Sequence, residues 1–301
     1  MEIAIQQLIN GIQLGAVYAL IAVGYTMVYG VVKMINFAHG DVYMVGAYLA
    51  FAVTAAVAGG RLGTGQGLLL FVVGLLAAMV GCALLGGLIE RVAYRPLRNQ
   101  PRLVALTTAI GVSLLLENLM QIIAGPNPRP FPALIPAHQI DLGGVFLNVR
   151  FLVALAVALG MMAFLHYLVM RTRIGKAMRA VAFDLDAARL MGIDVNRVIA
   201  ATFMLGSALA AAAGVLVGVT YSRIDPFMGI LPGLKAFVAA VLGGIGNIPG
   251  AMVGGLIMGM AEVAVASVRS ELTHAVAFLI LIAVLLFKPT GLLGERVYDK
   301  V

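Results

Sequence analysis

An all-α, polytopic membrane protein is the fold class this sequence predicts, and three observations carry that expectation. Of 301 residues, 62% are apolar and only 11% charged, against about 25% charge in an ordinary soluble domain. Apolar runs long enough to cross a bilayer recur along the whole chain. LLLFVVGLLAAMVGCALLGGLI (68–89) and VIAATFMLGSALAAAAGVLVGVT (198–220) contain no charge at all. The basic residues, finally, collect in a few short segments between those runs.

A bilayer-spanning helix needs about 20 mostly apolar residues. The patterning places spans near 7–32, 42–58, 67–90, 103–124, 149–170, 199–221, 231–245, 249–268 and 272–287. The last run is short and the hairpin around 245–249 is tight, which leaves a range of eight to ten transmembrane helices. The opening MEIAIQQLIN has no positive n-region and leads into a full-length apolar run, so the first span is expected to stay rather than be cleaved. Thirty-six glycines suit closely packed membrane helices, and the Gly11/Gly15 and Gly250/Gly254 spacings suit close helix approach in particular.

Orientation follows from the loops. Segment 91–102 carries Arg91, Arg95, Arg98 and Arg102 against no acid, segment 171–198 is dense in charge, and the tail KPTGLLGERVYDK is basic. All three are expected on the cytoplasmic side. The proline-rich stretch 125–148 has little positive charge and is expected outside. With nine spans the N-terminus is outside and the C-terminus inside. Cysteine probes at 95 and 176 should then be shielded from impermeant reagents, and one at 134 labelled. The net charge of +7 is absorbed by this topology, so no nucleic-acid partner is implied.

Chemistry of its own is missing from the sequence. There is no G-x-x-x-x-G-K-S/T phosphate loop, no HExxH zinc pair and no G-x-S-x-G nucleophile elbow. His39, His138, His166 and His274 are scattered, and the single Cys82 excludes an internal disulfide framework. The string DLDAAR (184–189) lacks the glycine and downstream paired aspartates of a metal-dependent phosphatidyl transferase. No cofactor and no catalytic residue is expected.

The segment RTRIGKAMRAVAFDLDAARLMGIDVNRV (171–198) is the exception to the hydrocarbon character of the chain. It is helix-prone and charged, and two readings fit it: a solvated loop, or a docking element. Small residues at Ala177, Ala180, Ala187 and Ala188 permit close approach of another surface, and Arg173, Lys176, Arg179 and Arg189 offer complementary charge. Gly192 is placed to end the helix before the next span.

Gly175, Arg179-Ala180, Asp186-Ala187-Ala188 and Gly192-Ile193 resemble the cytoplasmic signature of ABC-transporter permeases, with Asp186 where many permeases have glutamate. The resemblance implies that 171–198 couples the permease to a separate ATPase. GIQLGAVYALIAVGYTMVYGVVKMINFAHGDVYMVGAYLA (11–50), VLGGIGNIPGAMVGGLIMGMAE (241–262) and FKPTGLLGE (287–295) resemble the H-subunit type of branched-chain amino-acid permease, in the usual order. What this implies is an ABC importer permease fold, one transmembrane domain over 1–301, in a bacterial inner membrane. It also implies a homologous second permease, two ABC ATPase subunits and an external solute-binding protein as partners. Leucine, isoleucine and valine are the implied solutes, and the related urea and short-chain amide permeases share much of the pattern.

Polar groups inside spans cost about 2.5–3.5 kcal/mol for a centred charge, so each needs a reason. Lys33, Asn36, His39 and Asp41 surround the break MINFAHGD (34–41), which reads either as an interfacial turn or as an irregular segment lining a cavity. The break GGIGNIPG (243–250) poses the same choice. Glu117, Lys235 and Glu262 fall in apolar segments, where an interhelical pair is the commoner explanation and a solute contact the other. Lys235 and Glu262 flank one hairpin at similar depth and are candidates to pair. A rival of a different class is a self-sufficient channel or secondary transporter using Asp41, Glu117 and Glu262 as ion or proton sites. Such a protein has no need of the 171–198 island.

Overall fold

The computed structural model describes residues 2–58, 66–98, 100–141 and 143–294. The helices are α1 (Glu2–Val32), α2 (His39–Ala58), α3 (Gly67–Ile89), α4 (Arg102–Ala124), α5 (Val149–Arg171), α6 (Arg173–Phe183), α7 (Leu185–Leu190), α8 (Val195–Tyr221), α9 (Ile230–Gly243), α10 (Ile248–Ala266) and α11 (Thr273–Phe287). Eight of the described helices are long and apolar enough to cross a membrane. The apolar α9 has only 14 residues, about 21 Å at the helical rise of 1.5 Å per residue. That is short of a ~30 Å hydrocarbon layer. All nine sit where the apolar runs predicted, and the count falls inside the expected range.

Two of these helices, α1 and α8, form the buried centre, and the way they pack follows from their small residues. Along α1, Gly11 and Gly15 meet Gly255, Leu256, Gly259 and Met260 of α10. A Cβ added at Gly259 would lie 2.1 Å from the Gly15 nitrogen, and one at Gly255 2.3 Å from the Ala19 Cα. Backbone therefore touches backbone along this seam. The Gly250/Gly254 pair does the same against α9, where a Cβ at Gly254 would lie 2.1 Å from the Ala239 carbonyl oxygen. Each spacing singled out in the sequence thus marks a real helix crossing.

The helix ends explain the order of the bundle. At one end, Gln6 of α1 exchanges hydrogen bonds with the Phe146 backbone at 2.9 and 3.2 Å. The proline-rich connection is also pinned to the end of α8 by a short ladder between β1 (Arg129–Pro130) and β4 (Arg223–Ile224), and by Arg150, which donates to Ser222 Oγ at 2.7 Å. The hairpin β2 (Gln139–Asp141) and β3 (Phe146–Asn148) lies in the same connection. At the other end, Arg98 donates to Asn196 at 2.6 Å and so joins the two basic segments. The residues after α11 fold back there as well. Leu292 and Leu293 donate to the Leu242 and Gly243 carbonyls at 2.8 and 3.0 Å, satisfying acceptors left open at the end of α9. The basic tail beyond 294 lies outside the described residues.

Two local readings are corrected. Span 67–90 does not end at 90: α3 continues through a wider π turn at Glu90–Tyr94 and a tight turn at Arg95–Leu97. The buried Glu90 carboxylate is held there by Arg98, so one arginine of the basic loop is spent inside the fold. Leu134 is buried, so a cysteine at 134 reports packing rather than sidedness. The exposed His138 on the same connection is the position to label.

Candidate functional site

The MINFAHGD break is built by the end of α1. Lys33 adopts φ +57°, a left-handed conformation that stops the helix, and its N–H closes on the Tyr29 carbonyl at 2.8 Å. Residues 34–38 then run irregularly into α2. This backbone is packed within protein, where a broken helix is tolerated at membrane depth. Asn36 is buried and accepts from Tyr94 Oη at 3.1 Å, and it is the π turn of α3 that supplies this tyrosine. His39 is buried against Tyr25, with ring centroids 4.6 Å apart, and a Cβ on Gly24 would fall 2.5 Å from its Nε2. Both side chains face the packed interior.

Asp41 points elsewhere. Together with Phe37 and Gly40 it lines a cleft of about 410 Å³ between α1, α2, α4 and the start of α9, within the size range of small-molecule sites (roughly 300–1,000 Å³). Ser113, midway along α4, donates to Asp41 Oδ2 at 2.5 Å, and Glu117 one turn further on lines the same cleft. Both carboxylates are largely buried. The remaining walls are apolar, with Leu106 and Ile110 on one side and Ile230 and Leu234 on the other.

Lys235 and Glu262 do not reach this cleft. Lys235 Nζ lies 2.6 Å from Glu262 Oε1, and Tyr18 Oη donates to Glu262 Oε2 at 2.9 Å. This is the pairing across one hairpin that their similar depth suggested, and it ties α9, α10 and α1 together.

A second feature is the charged island. Thr172 caps α6 by accepting from the Gly175 N–H at 3.1 Å. A Cβ on Gly175 would lie 2.2 Å from the Val169 carbonyl oxygen, so only glycine lets α6 turn this tightly off α5. Arg179 donates to the same carbonyl, an acceptor otherwise unsatisfied at a helix end. Asp184 caps α7, accepting from the N–H groups of Asp186 and Ala187. Gly192, at φ +78°, ends α7, and Ile193 donates back to the Ala188 carbonyl at 3.1 Å, the bonding expected of a left-handed glycine stop. Asp186 and Arg189 pair with each other on the surface at 3.2 Å.

The island has two faces. Gly175, Met178, Val181 and Ala188 are buried in the core, with Ala180 partly covered. The expectation that Ala187 and Ala188 share an outward face is corrected: Ala188 is turned into the core, and Ala187 is exposed. Outward stand Phe183, Leu190 and Met191, which are 88, 89 and 82% exposed. The sequence reading passed over these three because apolar residues are unremarkable in this chain, and only the fold separates them from the membrane-embedded ones. Ser113, Tyr18, Tyr94 and Glu90 were also missed. Ser113 and Tyr18 are ordinary residues in helical runs, Tyr94 lay in the segment read as a basic loop, and Glu90 sat at the assumed end of a span.

Comparison with known proteins agrees with this architecture. The family described as branched-chain amino acid transport system / permease component matches residues 7–285. The high-affinity branched-chain amino acid transport system permease protein LivH of Escherichia coli is 46% identical over 303 residues, covering 99% of this chain and 97% of its own. The permease protein BraD of the corresponding Pseudomonas aeruginosa system is 45% identical over 302 residues, covering 99% and 98%. A family match that runs through nearly every membrane helix, together with identities near one half over almost the whole length, shows that the chain belongs to the branched-chain amino acid transport permease family.

Proposed function

We propose that this chain is the translocating subunit of an ATP-driven importer for leucine, isoleucine and valine in the bacterial inner membrane. The observation that carries the reading is the island. Short helices α6 and α7 are fused to the core through Gly175, Met178, Val181 and Ala188, yet present Phe183, Leu190 and Met191 to the outside. Exposed apolar side chains beside charge, at the end of the bundle that carries the basic loops, are the composition of a docking surface. The sequence has no phosphate loop of its own, so ATP hydrolysis belongs to two partner ATPases. Their movement enters through α6 and α7 and passes to α5 and α8, which flank them. A homologous second permease and an external solute-binding protein complete the assembly. The full-length relatives named above carry branched-chain amino acid descriptions, which favours those solutes over urea or a short-chain amide. A self-sufficient channel gains nothing from an apolar face on a rigid cytoplasmic element.

Asp41 and Glu117 are proposed to line the pathway. Asn36 and His39 hold the break that presents Asp41, and Lys235 and Glu262 hold the helices.

The test is co-purification of the ATPases at matched membrane expression. Leu190→Asp with Met191→Asp is expected to lose most ATPase and, with it, uptake, while the permease still inserts and migrates as a monodisperse species. Full retention of the ATPases by this variant would return the island to a solvated loop. Ala188→Trp would not serve as this test, because Ala188 is buried and the larger side chain strikes the permease's own packing. For sidedness, cysteines at Arg95 and Lys176 should resist an impermeant maleimide in intact cells, whereas one at His138 should react. Labelling at 176 from outside would invert the orientation and remove the docking argument.

A further inference from the structure

We infer that the π turn of α3 (Glu90–Tyr94) is a transmission joint, in which Tyr94 is the positioning residue that ties movement of α8 to the break before Asp41. This rests on the importer reading above and adds a route by which movement at the island reaches the cleft.

The joint begins where α3 lies against α8. A Cβ on Gly86 would fall 2.1 Å from Ser207 Oγ and 2.8 Å from the Phe203 carbonyl oxygen, so the two helices touch closely just before the turn. Beyond that point the Arg95 N–H closes on the Glu90 carbonyl, five residues back. A π turn of this kind is rare and is found mostly at functional sites. It leaves Glu90 and Tyr94 only 2% and 1% exposed, and each is bonded beyond α3 itself. Glu90 holds Arg98, a partner that a buried carboxylate requires. Arg98 also donates to Asn196 at 2.6 Å, in the first turn of α8 where the charged island runs into that helix. Arg98 thereby fastens the start of α8 to the turn.

Tyr94 reaches the other way as well. Its ring packs on Phe203 of α8, with centroids 5.0 Å apart. Its hydroxyl donates to Asn36 Oδ1 at 3.1 Å and lies 3.3 Å from the Ile35 carbonyl oxygen. The Asn36 carbonyl in turn accepts from the His39 N–H at 3.1 Å, at the start of α2, and Asp41 stands in the first turn of that helix. One side chain therefore touches both the helix that leaves the island and the break that presents Asp41. A phenylalanine would fill the same space beside Phe203, and the hydroxyl is the part that reaches the break. From Asn196 through Arg98, Glu90, Tyr94 and Asn36 the contacts are continuous, which is the physical form that coupling between separated sites takes.

The experiment uses the importer reconstituted with its ATPases and binding protein, and reads leucine moved per ATP hydrolysed. Tyr94→Phe keeps the ring on Phe203 and deletes only the hydroxyl. This variant is expected to copurify with the ATPases as the wild type does and to keep ATP turnover stimulated by the binding protein. Leucine moved per ATP should fall about fivefold or more, the lower end of ordinary coupling strengths. Asn36→Ala should lower the ratio similarly, and the two together no further than either alone, because they remove one shared bond. A hydroxyl with a merely structural role would instead lower recovery of the complex and leave the ratio unchanged in what is recovered. Tyr48→Phe is the control: its buried hydroxyl has no partner among the described residues, and its removal should not alter the ratio. An unchanged ratio in Tyr94→Phe, a loss that adds to that of Asn36→Ala, or an equal loss in Tyr48→Phe overturns the joint and leaves the importer reading standing. A wild-type chain that recruits no ATPase or moves no leucine overturns the importer reading, and the joint with it.

Discussion

Gly259→Leu is expected to prevent accumulation of the folded permease. The position of its Cβ falls 2.1 Å from the Gly15 nitrogen, 2.3 Å from the Gly15 Cα and 2.8 Å from the Gly11 carbonyl oxygen. Every one of these atoms is backbone, so no rotamer change relieves the overlap. To admit the side chain, α10 has to move away from α1 along the seam that organises the centre of the bundle. Ordinary overpacking costs about 1–3 kcal/mol when neighbours can shift. Here the shift separates two helices, and the cost should exceed that range. Interior packing is the main force holding helices together once they are in the membrane, because lipid is as apolar as the side chains. The measurement is the yield and monodispersity of detergent-extracted protein, with Gly160→Leu as control. Gly160 has nothing within 4 Å of its Cβ position, and surface changes of that kind usually stay within about 0.5 kcal/mol. Wild-type behaviour of Gly259→Leu would mean that α1 and α10 do not touch as described.

Glu262→Ala is expected to be nearly as damaging, for an electrostatic reason. Lys235 and Glu262 are each 6% exposed and 2.6 Å apart. Removing the carboxylate leaves an ammonium buried between α9 and α10, with the Tyr18 hydroxyl losing its acceptor as well. Breaking such a pair from one side costs about 3–5 kcal/mol. Replacing both members by apolar residues of similar size is often close to neutral, so Lys235→Met with Glu262→Leu should recover most of the loss. The remainder, about 1–3 kcal/mol for an unsatisfied hydroxyl, should disappear when Tyr18→Phe is added. Thermal unfolding of the three variants in one detergent checks the order. If the double variant is as unstable as the single one, the pair does something beyond holding helices together.

Much of the candidate site was legible in the residues, and the part that was not has identifiable causes. Asp41 and Glu117 stood out because charge in an apolar run is expensive. That rule marks a residue as needing a partner without saying which. Lys235 and Glu262 were marked by the same rule and found each other, whereas Asp41 and Glu117 were brought to one cleft without a cation. Asn36 and His39 looked equivalent to Asp41 in the string MINFAHGD. The turn begun by Lys33 rotates the first two towards Tyr94 and Tyr25 and leaves Asp41 on the open side.

The spans, the helix-breaking glycines and the segregation of basic loops to one end were determined by the sequence itself, because each is a local property. Twenty apolar residues must be helical in lipid, since backbone polar groups have no other partners there. Gly192 ends α7 wherever α7 is placed, because φ of +78° is open to glycine and strained for other residues. Only the tertiary structure decided which face of each element is used. In an ordinary amphipathic helix the apolar stripe announces its inner face, but here most helices are apolar all round and the pattern carries no such direction. It took the packing of α1 against α10 to make Gly15 and Gly259 indispensable, and the seating of α6 and α7 to turn Ala188 inward and Leu190 and Met191 out. The start of α9 beside Asp41 depends on Gly40 meeting Gly229 and Gly233, a contact between residues almost two hundred positions apart. No local rule could have joined them.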